Sequence, residues 1–137
     1  MATVRDAMTE NPRTLAPDAT IVDAARAMRD EDAGIMPVVE GYRLDGVITD
    51  RDIAVRVVAE GRDPKSTHVR DAMSERIATV DPAQDVDEAM RLMAEHQVRR
   101  LPVCEEDGRL VGMLAQADVA RHGDDARTGE TVERMSR

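Results

Sequence analysis

Aromatic side chains are almost missing: the 137 residues contain no Trp and no Phe, and Tyr42 stands alone. Any core must be aliphatic, helped by the nine methionines, and a flat ligand cannot be held between rings. Cysteine is equally scarce. Cys104 is single, which excludes an intrachain disulfide and reads as a small core residue rather than a redox switch. No apolar run approaches the ~20 residues of a membrane span. The opening M-A-T-V-R-D-A-M lacks the apolar core of a secretory signal, so a cytoplasmic location is expected. Positive charge is in deficit, with 19 Lys plus Arg against 28 Asp plus Glu and a net charge of -9. Such a surface repels phosphate backbones and anionic lipid, so neither nucleic acid nor membrane is an expected partner. No Walker loop, G-x-G-x-x-G or Ser–His–Asp set occurs. His68, His96 and His122 are scattered without metal-ligand spacing. The expectation is no metal site, no required cofactor and no enzyme.

What the sequence does have is a duplication. V-R-D-A-M occurs at Val4–Met8 and again at Val69–Met73, a shift of 65 that also carries Thr14 to Thr79, Pro17 to Pro82, Met28 to Met93 and Pro37 to Pro102. One extra residue near Glu106 makes the shift 66, and then Leu44 meets Leu110, Gly46 meets Gly112 and Asp52 meets Asp118. Chance does not keep register over this length. The copies join at a turn-rich polar linker, Gly61–Thr67, which sets the expected boundaries at 1–63, 64–123 and a polar, loosely ordered tail 124–137.

Each copy reads as strand, helix, strand, strand, helix. An extended piece at Arg13–Ala16 is followed by Ile21, Ala24, Ala25 and Met28 at helical spacing. Thr20 with Asp23, and Asp85 with Glu88, are placed as N-cap and N3 partner, and Gly34 as the helix stop. Ile35–Val39 reads as a short strand entered through Pro37, which fits an edge or a strand start, and a turn leads to a second strand, Leu44–Thr49. A last helix from Asp50 carries Ile53, Val57 and Val58 inward and stops at Gly61; its counterpart ends before Gly123. A unit of ~60 residues is marginal alone, so the copies should pack sheet to sheet, with Met8 and Met73 along the seam.

The stretch Gly46–Asp52, G-V-I-T-D-R-D, places Thr49-x-x-Asp52 where a strand hands over to a helix. An N-terminal helix end favours phosphate, and an ionised Asp accepts hydrogen bonds from vicinal ribose hydroxyls. The same spacing is also an ordinary capping pair stabilising by ~1 kcal/mol, and the two roles are compatible. The copy G-M-L-A-Q-A-D at Gly112–Asp118 keeps the Asp but replaces Thr49 by Ala115.

With h-x-D-x-M, h-P-V-h and G-h-h-T-x-x-D recurring in register, residues 3–123 resemble cystathionine-beta-synthase (CBS) domains, two in tandem forming a Bateman module. The phrase E-H-Q-V-R-R-L-P-V at Glu95–Val103 is similar to stand-alone pairs of the hypoxic response type, which points to a stress response. The resemblance implies an α+β fold, β-α-β-β-α repeated twice with pseudo-two-fold symmetry. It also implies a homodimer, an adenosine-containing ligand (AMP, ADP or ATP class, or another adenosyl compound) between the repeats, and an unknown downstream protein. By likeness to the gamma subunit of AMP-activated protein kinase, Arg99 or Arg100 would face phosphate against Thr49, Arg51 and Asp52. Ile35, Met36, Pro37, Val38 and Thr14 would wall the base. The second site, with Asp118, Ala115, Leu101, Val103 and Thr79, would be degraded, because Gly34 and Ile35 stand where Arg99 and Arg100 do. At ~0.3 kcal/mol per atom over about 23 non-hydrogen atoms, AMP would bind with Kd on the order of 10 μM. The rival expectation is an interaction scaffold whose clefts are vestigial.

Overall fold

The computed structural model describes residues 2–126, with side chains as far as residue 121. Of the expected tail 124–137, residues from 127 on lie outside the described residues. Residues 124–126 are helical rather than loose, because the last helix runs through Gly123 to Ala126. The described residues form two compact units whose edges are offset from the sequence repeats: a central unit, Arg13–Ile77, and a flanking unit joining the residues up to Pro12 with those from Ala78 onward.

In the central unit, Thr20 begins helix α2 (Ile21–Glu31) as the sequence predicts, whereas α1 (Val4–Ala7) belongs to the flanking unit. Thr20 Oγ1 accepts from the Asp23 amide at 3.1 Å and the Thr20 amide donates to Asp23 Oδ2 at 3.1 Å. Its buried stripe is Ile21, Ala24, Ala27 and Met28; Ala25, expected inward, is exposed because it lies a further ~100° round the helix from Ala24. The helix stops at Asp32, not Gly34. Asp32 adopts the left-handed conformation at φ 50° and its amide reaches the Met28 and Arg29 carbonyls. Gly34 instead lies close to Asp50: a Cβ there would come 2.9 Å from a carboxylate oxygen, the far end of an exposed side chain that can turn away.

Strands β2 (Ile35–Glu40) and β3 (Arg43–Thr49) form an antiparallel hairpin turning through Gly41 at φ 65°, with a bulge between Val38 and Val39. The extended piece contributes one parallel bridge, Leu15 to Val38. Leu15 donates to the Pro37 carbonyl, a pairing that asks nothing of the N–H that proline lacks. Helix α3 (Asp50–Ile53) passes into a π-helical turn, Ala54–Val58. The wider turn keeps Val57 buried but leaves Val58 66% exposed, so Val58 does not face inward as the 3.6-residue pattern predicted.

The rest of this core comes from the second copy. Its V-R-D-A-M opens as a 3-10 turn, Val69–Asp71, with Val69 and Ala72 fully buried among Leu15, Ile21, Met36, Val38 and Ile48. Ser74 and Val47 exchange both backbone hydrogen bonds, at 2.8 and 3.0 Å. Gly46 permits that approach, since a Cβ there would sit 2.5 Å from the Ser74 carbonyl oxygen. The linker is partly built in: Thr67 is buried and its carbonyl accepts from the Ile21 amide at 3.0 Å.

The flanking unit repeats the plan with the copies exchanged. Helix α1 (Val4–Ala7) and strand β1 (Thr9–Glu10) belong to the first copy, yet Val4 is buried among Val80, Ala89, Met93, Leu101, Val103 and Leu114. Here α4 (Val86–His96), β4 (Arg100–Cys104), β5 (Leu110–Ala115) and α5 (Gln116–Ala126) stand in for their first-copy equivalents, and the sheet order is β1-β5-β4. Gln97, at φ 56°, ends α4 as Asp32 ends α2. Asp85 caps α4 through the Asp87 amide, while Glu88, expected to close that box, bonds Arg91 instead. Met8 packs against the core built mainly from the second copy, and Met73 against the core built mainly from the first. Each repeat thus lends its opening motif to the other.

Candidate functional site

Strand β3 delivers Thr49 to the start of α3, and the Thr-x-x-Asp spacing closes a complete capping box. The Asp52 amide donates to Thr49 Oγ1 at 3.0 Å, and the Thr49 amide donates to Asp52 Oδ2 at 3.0 Å. Asp52 is only 8% exposed, one of two buried polar or charged residues among those described. Its carboxylate has further partners. Ser74 Oγ lies 3.3 Å from Oδ1 and 3.4 Å from Oδ2, long for a hydroxyl donor, and Arg56 Nε lies 3.8 Å from Oδ1. Arg56 also donates to the Met73 carbonyl at 3.2 Å. A buried anion is thus held by an amide, a hydroxyl and a guanidinium, with neither of the last two at optimal distance.

Sequence reasoning missed Ser74 and Arg56. Arg56 was readable as an i,i+4 acid–base pair with Asp52. Ser74 was not, since its approach depends on the exchange of opening motifs between copies.

The other expected residues are placed as follows. Ile35 is half-buried directly across the hairpin from Thr49. Met36, Pro37 and Val38 are buried in or beside the core, so they offer a base little surface. Thr14 and Arg51 are exposed, and the Arg51 amide bonds Asp50 Oδ1 at 2.8 Å. An open hollow of about 470 Å³ lies beside this junction, lined by Ala25, Met28, Gly34, Asp50 and Ile53 among others; Thr49 and Asp52 do not line it.

In the flanking unit the same junction is built differently. Ala115 supplies no cap oxygen, and Asp118 turns to Arg121 three residues on. Arg100 is half-buried across the strand pair from Ala115, where the central unit has Ile35 across from Thr49; Arg99 is exposed. Leu101 and Val103 are buried in the core and Thr79 is exposed. Cys104 is buried, and desolvation pushes its thiol up to about 11. Among the described residues no three His, Cys, Asp or Glu gather as a metal site, and no helix is long and apolar enough to cross a membrane.

Comparison with known proteins adds the lineage. The CBS domain model matches residues 4–59 and again 69–125. The CBS domain-containing protein YhcV of Bacillus subtilis is 42% identical over 120 residues, covering 88% of this chain and 84% of that protein. The crystal structure of Hypoxic Response Protein I with two coordinated zinc ions superposes with a TM-score of 0.79 at 39% identity, over 89% of this chain and 99% of that one. That of CBSX2 in complex with AMP gives a TM-score of 0.78 at 27% identity, over 90% and 96%. With both repeats matched and the pair fold shared, the chain belongs to the CBS domain family as a tandem pair.

Proposed function

We propose that the chain is a non-enzymatic regulatory module that binds an adenosine-containing ligand of the AMP, ADP or ATP class, with Asp52 as the ribose acceptor. The observation that supports this most is Asp52 itself: a carboxylate 8% exposed at a strand–helix junction, whose hydroxyl and guanidinium contacts at 3.3 to 3.8 Å leave acceptor capacity for better-placed donors. The AMP complex of the similar CBSX2 agrees with that ligand class. Arg99 or Arg100 is the proposed phosphate partner, and the Ala115–Asp118 junction the weaker site. A cytoplasmic homodimer reporting to a further protein completes the reading.

The capping box favours a second reading, an interaction scaffold. Thr49 and Asp52 already satisfy each other, so the motif is explained without a ligand.

A thermal-shift panel of AMP, ADP, ATP, NAD and S-adenosylmethionine separates the two. At 1 mM ligand and Kd near 10 μM, linkage gives ~2.7 kcal/mol of stabilisation, several degrees in Tm. Asp52→Ala abolishes the response, and Arg100→Ala or Arg99→Ala weakens AMP more than adenosine. A flat panel establishes the scaffold instead.

A further inference from the structure

We propose that Ser74 and Arg56 form an internal latch on the Asp52 carboxylate, which a ligand hydroxyl must displace to bind; this rests on the ribose-acceptor reading of Asp52. Oδ2 is committed to the Thr49 amide at 3.0 Å, within the capping box. The carboxylate's other direction is covered by Ser74 Oγ, which donates across both oxygens at 3.3 and 3.4 Å, and by Arg56 Nε at 3.8 Å. A hydroxyl donating to a carboxylate is the same chemistry a ribose diol offers, so Ser74 stands where a ligand hydroxyl would act.

The latch is built to open by side-chain rotation alone. The Ser74 backbone is pinned to Val47 by two hydrogen bonds, at 2.8 and 3.0 Å. Its hydroxyl contacts are longer than the 2.7–2.8 Å usual for O–H···O, and a rotation about χ1 releases both. Arg56 ties the device to the segment it controls, since its guanidinium also holds the Met73 carbonyl, one residue before Ser74. That segment is the opening motif of the second copy, and it leads within four residues to Ala78, where the flanking unit resumes. At the other junction, among the described residues, Asp118 is paired with Arg121 on its own helix. The latch sets the affinity of the Asp52 site.

Calorimetric titration of AMP and ATP into the full chain, with Tm measured alongside, tests this on wild type, Ser74→Ala and Arg56→Gln. The expected result is a Kd at least threefold tighter for Ser74→Ala, with Tm equal to or below wild type, and a shift of the same sign for Arg56→Gln. Binding by Ser74→Ala where wild type is silent also supports the latch. An unchanged Kd with a lowered Tm assigns Ser74 a purely structural role and overturns the proposal. A weaker Kd overturns it by making Ser74 a ligand contact. If wild type binds and Ser74→Ala is not tighter, the latch fails while the ligand reading stands; if no variant binds, the ligand reading fails and the latch falls with it.

Discussion

Replacing Asp52 by alanine and, separately, its repeat equivalent Asp118 by alanine makes the same chemical change at two related junctions with different surroundings. At Asp52 the change removes the acceptor for the Thr49 amide at 3.0 Å, the longer Ser74 contacts and the Arg56 pair, around a side chain 11% exposed. The charge-assisted capping bond and the orphaned amide together cost about 2 kcal/mol, and the Arg56 pair adds little because that guanidinium is 53% exposed. At roughly 2.1 cal/mol/K per residue, the unfolding entropy of the chain is about 0.29 kcal/mol/K, so Tm falls by about 7 °C. At Asp118 the change removes a surface i,i+3 pair with Arg121, whose side chain is 66% exposed. That costs on the order of 0.5 kcal/mol, or about 2 °C. Thermal melts by circular dichroism and urea midpoints on both variants, without ligand, give the comparison. Equal losses at the two positions, or a larger loss at Asp118, would refute the reasoning that burial and capping make the first carboxylate structural.

The remaining predictions concern the close approach and the thiol. Gly46→Ala, whose Cβ meets the Ser74 carbonyl oxygen at 2.5 Å, destabilises by about 1–3 kcal/mol in urea unfolding. Gly41→Ala, with φ 65° and open space around it, costs only about 1 kcal/mol. Cys104 stays unreactive to iodoacetamide at pH 8 in the folded chain, because burial holds its thiol neutral with a pKa near 11. The sign of its pH linkage follows: raised above its ordinary 9.0, the group contributes stability below about pH 9 that is lost as pH climbs toward 11, and Cys104→Ser removes that dependence.

Thr20, Asp23, Thr49 and Asp52 were legible as caps because a capping box is a four-residue, local device, and the structure builds both boxes. Strand β3 was legible to within one residue, Leu44–Thr49 against the observed Arg43–Thr49, because an apolar run between a turn and a helix start marks its ends. Ala25, Val58 and Gly34 misled for related reasons. Ala and Val report apolarity but not facing, and a π-helical turn shifts the register that a 3.6-residue count assumes. Asp32 and Gln97 close their helices in the left-handed conformation, a task the sequence assigns by habit to glycine. The exchange of opening motifs, and with it Ser74's place beside Asp52, depends on pairings more than 20 residues apart that no local pattern records.

That exchange leaves a single repeat incomplete on its own. A single-copy chain could build either unit only by lending its first dozen residues to another molecule and receiving the same stretch in return. Joined end to end in one polypeptide, the two copies make that exchange within a single molecule. Because each junction sits in its own unit, the two can differ: Thr49 faces Ile35 in one and Ala115 faces Arg100 in the other.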